Sequence, residues 1–173
     1  MASRSKKAFY LLGLFFILAS AGAMRLSQAI VVLEITDETS HQHILRHRFT
    51  PGETFAFKYI HSVQQTPVWE YYTLDASGRV LLTATKVKSV GYGMPKPARG
   101  DSYTFKDGYF MVDNLNQPIN ALLIRNTFIR PMEIHYADMV FKLRDLANKG
   151  DLIRISGYRT TWIGLYRDHR ESS

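Results

Sequence analysis

A histidine, a serine and a glutamate fall within sixteen residues of one another in Phe-Ala-Phe-Lys-Tyr-Ile-His-Ser-Val-Gln-Gln-Thr-Pro-Val-Trp-Glu, residues 55–70. These types supply the base, the nucleophile and the orienting carboxylate of acyl-transfer sites when a fold brings them together. The spacing constrains what they do. On a strand, His61 and Ser62 point to opposite faces, so neither serves the other as base or nucleophile without a bulge. Glu70 is placed to return alongside through the loop at residues 64–66. No Gly-x-Ser-x-Gly elbow accompanies the serine. Three readings stand at this point. His61 and Glu70 form a cross-strand hydrogen-bonded pair, completed by Tyr59 or Tyr72, that orients a ligand or partner. Alternatively, Ser62 or the His61/Glu70 pair runs a small hydrolase. In the third, the pair only stabilises a hairpin in a structural module. Ser62 and Thr66 are expected to set the loop by side-chain-to-backbone bonds.

Two other clusters carry chemistry-bearing residues. Gly91, Tyr92, Gly93 and Met94 precede Pro95, and the glycines let backbone approach a ligand while Tyr92 and Met94 offer an adaptable apolar contact. The same segment also reads as a proline-stiffened corner, and it lacks the pattern of a nucleotide-binding P-loop. His41, His43 and His47 resemble metal ligands in type, but the segment is polar and has no cysteine or second ligand set. An exposed histidine-rich edge fits them better. No metal and no cofactor is assigned.

The elements that must position these residues are strands. A β-branched run spans residues 30–35 and ends at the turn signal Thr36-Asp37, and two-residue alternation marks 45–49. Phe55, Phe57, Tyr59 and His61 share one strand face, and Val68, Glu70, Tyr72 and Leu74 share another. Asp75-Ala76-Ser77-Gly78 reads as a hairpin loop leading to a strand over 80–87, so the three strands form a meander. Lys106-Asp107-Gly108 marks a second hairpin, between strands at 103–105 and 109–112. Further strands are expected at 121–124, 132–136, 152–156 and 162–166, with a short helical turn from about Leu143. The fold class is mostly β: one antiparallel sandwich or partly open barrel after an N-terminal hydrophobic export helix. In a meander the chain leaving Val87 returns toward the loop after His61. His61, Glu70 and the loop at 91–95 are therefore expected around one depression at one end of the sheet.

Arg4, Lys6 and Lys7 precede an apolar run from Ala8, followed by Ala19-Ser20-Ala21-Gly22-Ala23. This is the order of a secretory signal, with Ala21 and Ala23 at the spacing of a cleavage site. Residues 1–23 are read as a signal peptide or an uncleaved membrane anchor, and residues 24–173 as one extracytoplasmic domain. The rest of the chain then lies in the periplasm, free or held at the inner membrane. The chain has no cysteine, so no disulfide framework supports it. Its net charge of +7 falls to 7 − 3 = +4 without Arg4, Lys6 and Lys7. The remaining basic residues are scattered, unlike the stripe of a nucleic-acid protein.

The chain resembles domain-of-unknown-function family 1850 in three blocks. They are Phe57-Lys58-Tyr59-Ile60-His61-Ser62-Val63 with Thr66-Pro67-Val68 and Glu70; Ser89-Val90-Gly91-Tyr92-Gly93-Met94-Pro95; and Asp107-Gly108-Tyr109-Phe110 with Asn114. Pro51-Gly52-Glu53 also fits. Ser40-His41-Gln42-His43 departs from the family's short glycine-containing turn, which argues against a shared metal function there. The resemblance implies an accessory protein of tripartite ATP-independent periplasmic (TRAP) transporters of the TAXI type. The implied partners are the transporter membrane subunit, its substrate-binding protein or a small solute. The resemblance implies no activity.

Overall fold

Residues 2–50, 52–88 and 102–171 are described by the computed structural model of the chain. They form two units, residues 31–159, and residues 1–30 with 160–173. The first holds nearly all of two antiparallel sheets. One contains β1 (Ala29–Asp37), β2 (Gln42–Phe49), β8 (Leu122–Arg125) and β11 (Leu152–Thr161) in the order β2-β1-β11-β8. The other contains β3 (Phe55–Ile60), β4 (Pro67–Leu74), β5 (Val80–Val87), β6 (Ser102–Lys106), β7 (Tyr109–Ile119), β9 (Met132–Tyr136) and β10 (Met139–Lys142). Its order is β10-β9-β3-β4-β5-β7-β6. The sheets do not close into a barrel, so the sandwich is the form the chain takes.

Side chains of alternate residues build the core between the sheets. Leu33, Ile35, Phe49, Ile153 and Ile155 come from one sheet, and Phe55, Tyr72, Leu74, Val80 and Ile134 from the other; all are buried. Phe49 packs between Phe55 (6.5 Å, edge-on) and Tyr136 (5.9 Å, stacked), which ties the two layers together. The meander has the expected order and direction. Tyr59 pairs with Val68, and Val68 pairs in turn with Val87. Asp107 (φ 53°) and Gly108 (φ 76°) both adopt positive φ between β6 and β7, as a two-residue hairpin turn requires. The helical turn from Leu143 is α2 (Leu143–Leu146).

At the far end of β4, the loop of residues 75–79 is organised by the Asp75 carboxylate. It accepts bonds from the Ser77 and Arg79 amides and from the Arg79 guanidinium. Gly78 (φ +89°) lies so close to β11 that an added Cβ would stand 2.7 Å from the Tyr158 Cα. From the other side, a Cβ on Gly157 would stand 2.5 Å from the Gly78 carbonyl oxygen. Backbone meets backbone there, and the Leu74 side chain closes on Gly157 as well.

The second unit carries two helices, α1 (Ala2–Leu26) and α3 (Trp162–Glu171). α1 runs unbroken through the basic residues, the apolar stretch and the small-residue exit. Among the described residues, no helix is long and apolar enough to cross a membrane. The strand expected at 162–166 is instead the start of α3. Trp162, Ile163, Leu165 and Tyr166 follow helical spacing rather than alternation, and Thr161 Oγ1 accepts the Gly164 amide at 3.1 Å as an N-cap.

Candidate functional site

The hairpin joining β3 to β4 is a closed loop. The His61 amide donates to the Thr66 carbonyl (2.9 Å), and the Gln65 amide donates to the His61 carbonyl (3.1 Å). His61 lies one residue beyond the end of β3 rather than on its face. Its Nδ1 accepts the amides of Val63 (3.3 Å) and Gln64 (3.2 Å), so the imidazole caps its own turn. Gln65, at φ 55°, donates from Nε2 to the Ser62 carbonyl at 2.7 Å. The expected loop-setting roles of Ser62 and Thr66 therefore pass to His61 and Gln65. The Ser62 side chain is exposed, and the Thr66 hydroxyl is buried without a hydrogen-bond partner.

Glu70 sits elsewhere. It pairs across the ladder with Phe57, four residues before His61, a separation of about 13 Å along the strand. The expected His61/Glu70 pair is not formed. Glu70 Oε1 accepts the Tyr59 hydroxyl (3.1 Å) and Oε2 accepts the Tyr72 hydroxyl (2.6 Å). Burial first, and then the adjacent Glu70 charge, push both phenols well above the ordinary tyrosine range. They stay protonated and serve as donors. Thr85, the cross-strand partner of Glu70 on β5, is 3 % exposed and its hydroxyl has no partner.

This geometry bears on acid–base chemistry. A ring whose Nδ1 lone pair is taken by two amides carries its proton on Nε2. That tautomer cannot take a proton from a serine through Nε2. His61 and Glu70 both hold structure in place, and neither faces the other across a reacting centre.

A surface that can hold something opens beside them. A cleft of about 420 Å3 lies between Tyr59, Ile60 and Ser62 on one side and Leu123, Arg125 and Ile129 on the other. The segment at residues 127–131 forms a ridge between this cleft and a second cavity of about 410 Å3, lined by Phe128, Lys142 and Arg144 among others. Both ends of the ridge are pinned. Asn126, 1 % exposed, donates from Nδ2 to the carbonyls of Leu143 (2.8 Å) and Ala147 (2.9 Å). Its own backbone bonds Asp151 and Gly150. Arg130 donates to the His61 carbonyl (3.1 Å) and to Gln65 Oε1 (2.6 Å), locking the ridge to the β3–β4 loop. Neither Asn126 nor Arg130 was among the residues marked by the sequence. The available signal was Phe128-Ile129, two large apolar residues next to Arg130-Pro131 in a turn between strands.

The histidines near the first hairpin do not converge. His43 lies 3.1 Å from Glu34 Oε1 and within 2.9 Å of the Arg46 guanidinium. His47 packs edge-on against Tyr136 at 5.5 Å, and His41 occupies the turn at φ 59°. Among the described residues, no group of three His, Asp, Glu or Cys side chains is placed to hold a metal ion. Gly91, Tyr92, Gly93 and Met94 lie outside the described residues. The described chain enters that segment from Val87, beside Val68 and hence at the His61 end of β4.

The molecule is thus an antiparallel β-sandwich with a cleft and an anchored ridge at one end. The model of a domain of unknown function, DUF1850, matches residues 55–143, just over half of the 173-residue chain, and the chain belongs to that family. The match takes in β3 through β10 together with the first residue of α2. No curated protein and no solved structure matches the chain.

Proposed function

We propose that this protein is an exported accessory component of a TAXI-type TRAP transport system and acts by binding a ligand or partner rather than by bond chemistry. The observation that carries the binding reading is the division of labour at the cleft. His61 and Glu70 are committed to holding the loop and the two tyrosines. Beside them lies a largely apolar cleft with Arg125 and Arg130 in its lining, the composition of a surface that receives something. Membership of the family supports the transport link, and the basic, apolar and small-residue order of the N-terminus supports export to the periplasm or to the periplasmic face of the inner membrane.

The test is co-purification of the tagged full chain from gently solubilised membranes. The transporter membrane subunit or its substrate-binding protein should be enriched, and Leu123→Asp in the cleft should reduce that enrichment while the melting curve stays normal. Recovery of neither component would sink the proposal.

A further inference from the structure

The ridge presents apolar side chains to solvent in a way a monomeric surface rarely does. On the ridge Ile129 is 77 % exposed and Phe128 38 %, and Leu123, in the wall of the adjoining cleft, is 51 % exposed. Val63, in the loop that Arg130 ties to the ridge, is 74 % exposed. Such clusters mark a membrane or a partner. Phe128 also holds φ +58°, the left-handed region, where a bulky residue is strained and glycine or asparagine is the usual occupant. The anchors at Asn126 and Arg130 keep it there. A strained, part-exposed phenylalanine is thus held in a loop pinned at both ends.

Charge selects the surface it is displayed to. Arg125, Lys142 and Arg144 are exposed around the ridge; one Arg125 nitrogen donates to the Gly150 carbonyl (2.7 Å), and the Arg144 guanidinium lies 5.9 Å from the Phe128 ring. Among the described residues, Glu133 is the one carboxylate lining either cavity, and it is engaged by Lys58 and His135, both at 3.0 Å. We infer that this end of the sandwich docks on an anionic phospholipid surface: Val63, Leu123, Phe128 and Ile129 enter the headgroup–acyl boundary, and Arg125, Lys142 and Arg144 meet the phosphates. Exposed apolar side chains with cations around them match the order of chain and headgroup in a lipid leaflet.

The chain contains no cysteine, so one label reports one place. Full-length Ile129→Cys and Ala76→Cys proteins, each carrying an environment-sensitive fluorophore, are reconstituted in phosphatidylcholine vesicles and in vesicles also containing phosphatidylglycerol. Ala76 is exposed in the loop at the opposite end of β4. The N-terminal helix is present in every sample and cancels. The label at position 129 should shift to the blue, and be quenched by acyl-brominated lipid, in the anionic vesicles alone. The label at 76 should do neither. Replacing Lys142 and Arg144 together by Gln should raise severalfold the anionic-lipid fraction needed for half the shift, with the melting curve unchanged. A label at 129 that stays in water in anionic vesicles overturns the inference and leaves the ridge to a protein partner. An equal shift in phosphatidylcholine, or at position 76, overturns it as well. The vesicles hold no transporter, so the outcome is independent of the transport reading.

Discussion

At the scale of single residues, the side chains that look most like catalysts are used to fix backbone and phenols. His61 accepts two successive amides in the manner of an Asx turn, a task open to a shorter acceptor. His61→Asn should therefore keep most of the stability that His61→Ala loses, about 1 kcal/mol by urea titration. A catalytic histidine would show no such ordering. Glu70 offers two anionic oxygens to two hydroxyls, and Gln offers one neutral oxygen. Glu70→Gln should accordingly cost about 1–3 kcal/mol on the same assay, since one buried phenol loses its acceptor. The tyrosines also set a pH limit. Their folded pKa values lie above the unfolded value of about 10. The unfolded chain therefore releases these protons first. The stabilisation is whole below about pH 10 and declines as pH rises beyond it. A pH series of denaturation midpoints should show that decline, and Tyr59→Phe should flatten it.

At the scale of elements, what was legible in the sequence was whatever local chemistry decides. The strand at 80–87, the hairpin at Lys106-Asp107-Gly108 and the turn from Leu143 follow from alternation and from residues that tolerate positive φ, and the structure has them. Trp162–Tyr166 was misread because alternation and helical spacing overlap in a short apolar run, although Thr161 was in place as a cap. The site was less legible, for a different reason. Face assignment correctly places Glu70 with Tyr59 and Tyr72, but it extends β3 one residue too far, and that single step takes His61 out of the row. The contacts of Asn126 with Leu143 and of Arg130 with His61 join residues 17 and 69 positions apart, which no spacing rule reaches. Close approach between elements gives another test. Gly78→Ala puts a methyl into the Tyr158 backbone and a side chain at φ +89°; a loss of at least about 2 kcal/mol is expected in thermal or urea unfolding. The loop at 61–66, at the opposite end of β4, should keep its amide-exchange protection in whatever fraction remains folded.

For the molecule as a whole, strand order matters more than strand content. In the smaller sheet β1 lies beside β11, and in the larger sheet β3 lies beside β9. More than a hundred residues separate the first of these partners, and more than seventy separate Phe55 from Tyr136 in the second. Such pairings are slow to find, so refolding on dilution from urea should take milliseconds to seconds rather than microseconds. The consequence reaches past the test tube. A polypeptide that emerges N-terminus first holds a lone β1–β2 hairpin until residues 152–161 arrive, because the strand that flanks it is the last one made. Until then the smaller sheet has no strand beside β1 to extend it, so the two-layer core around Leu33 and Ile35 closes only once β11 is in place.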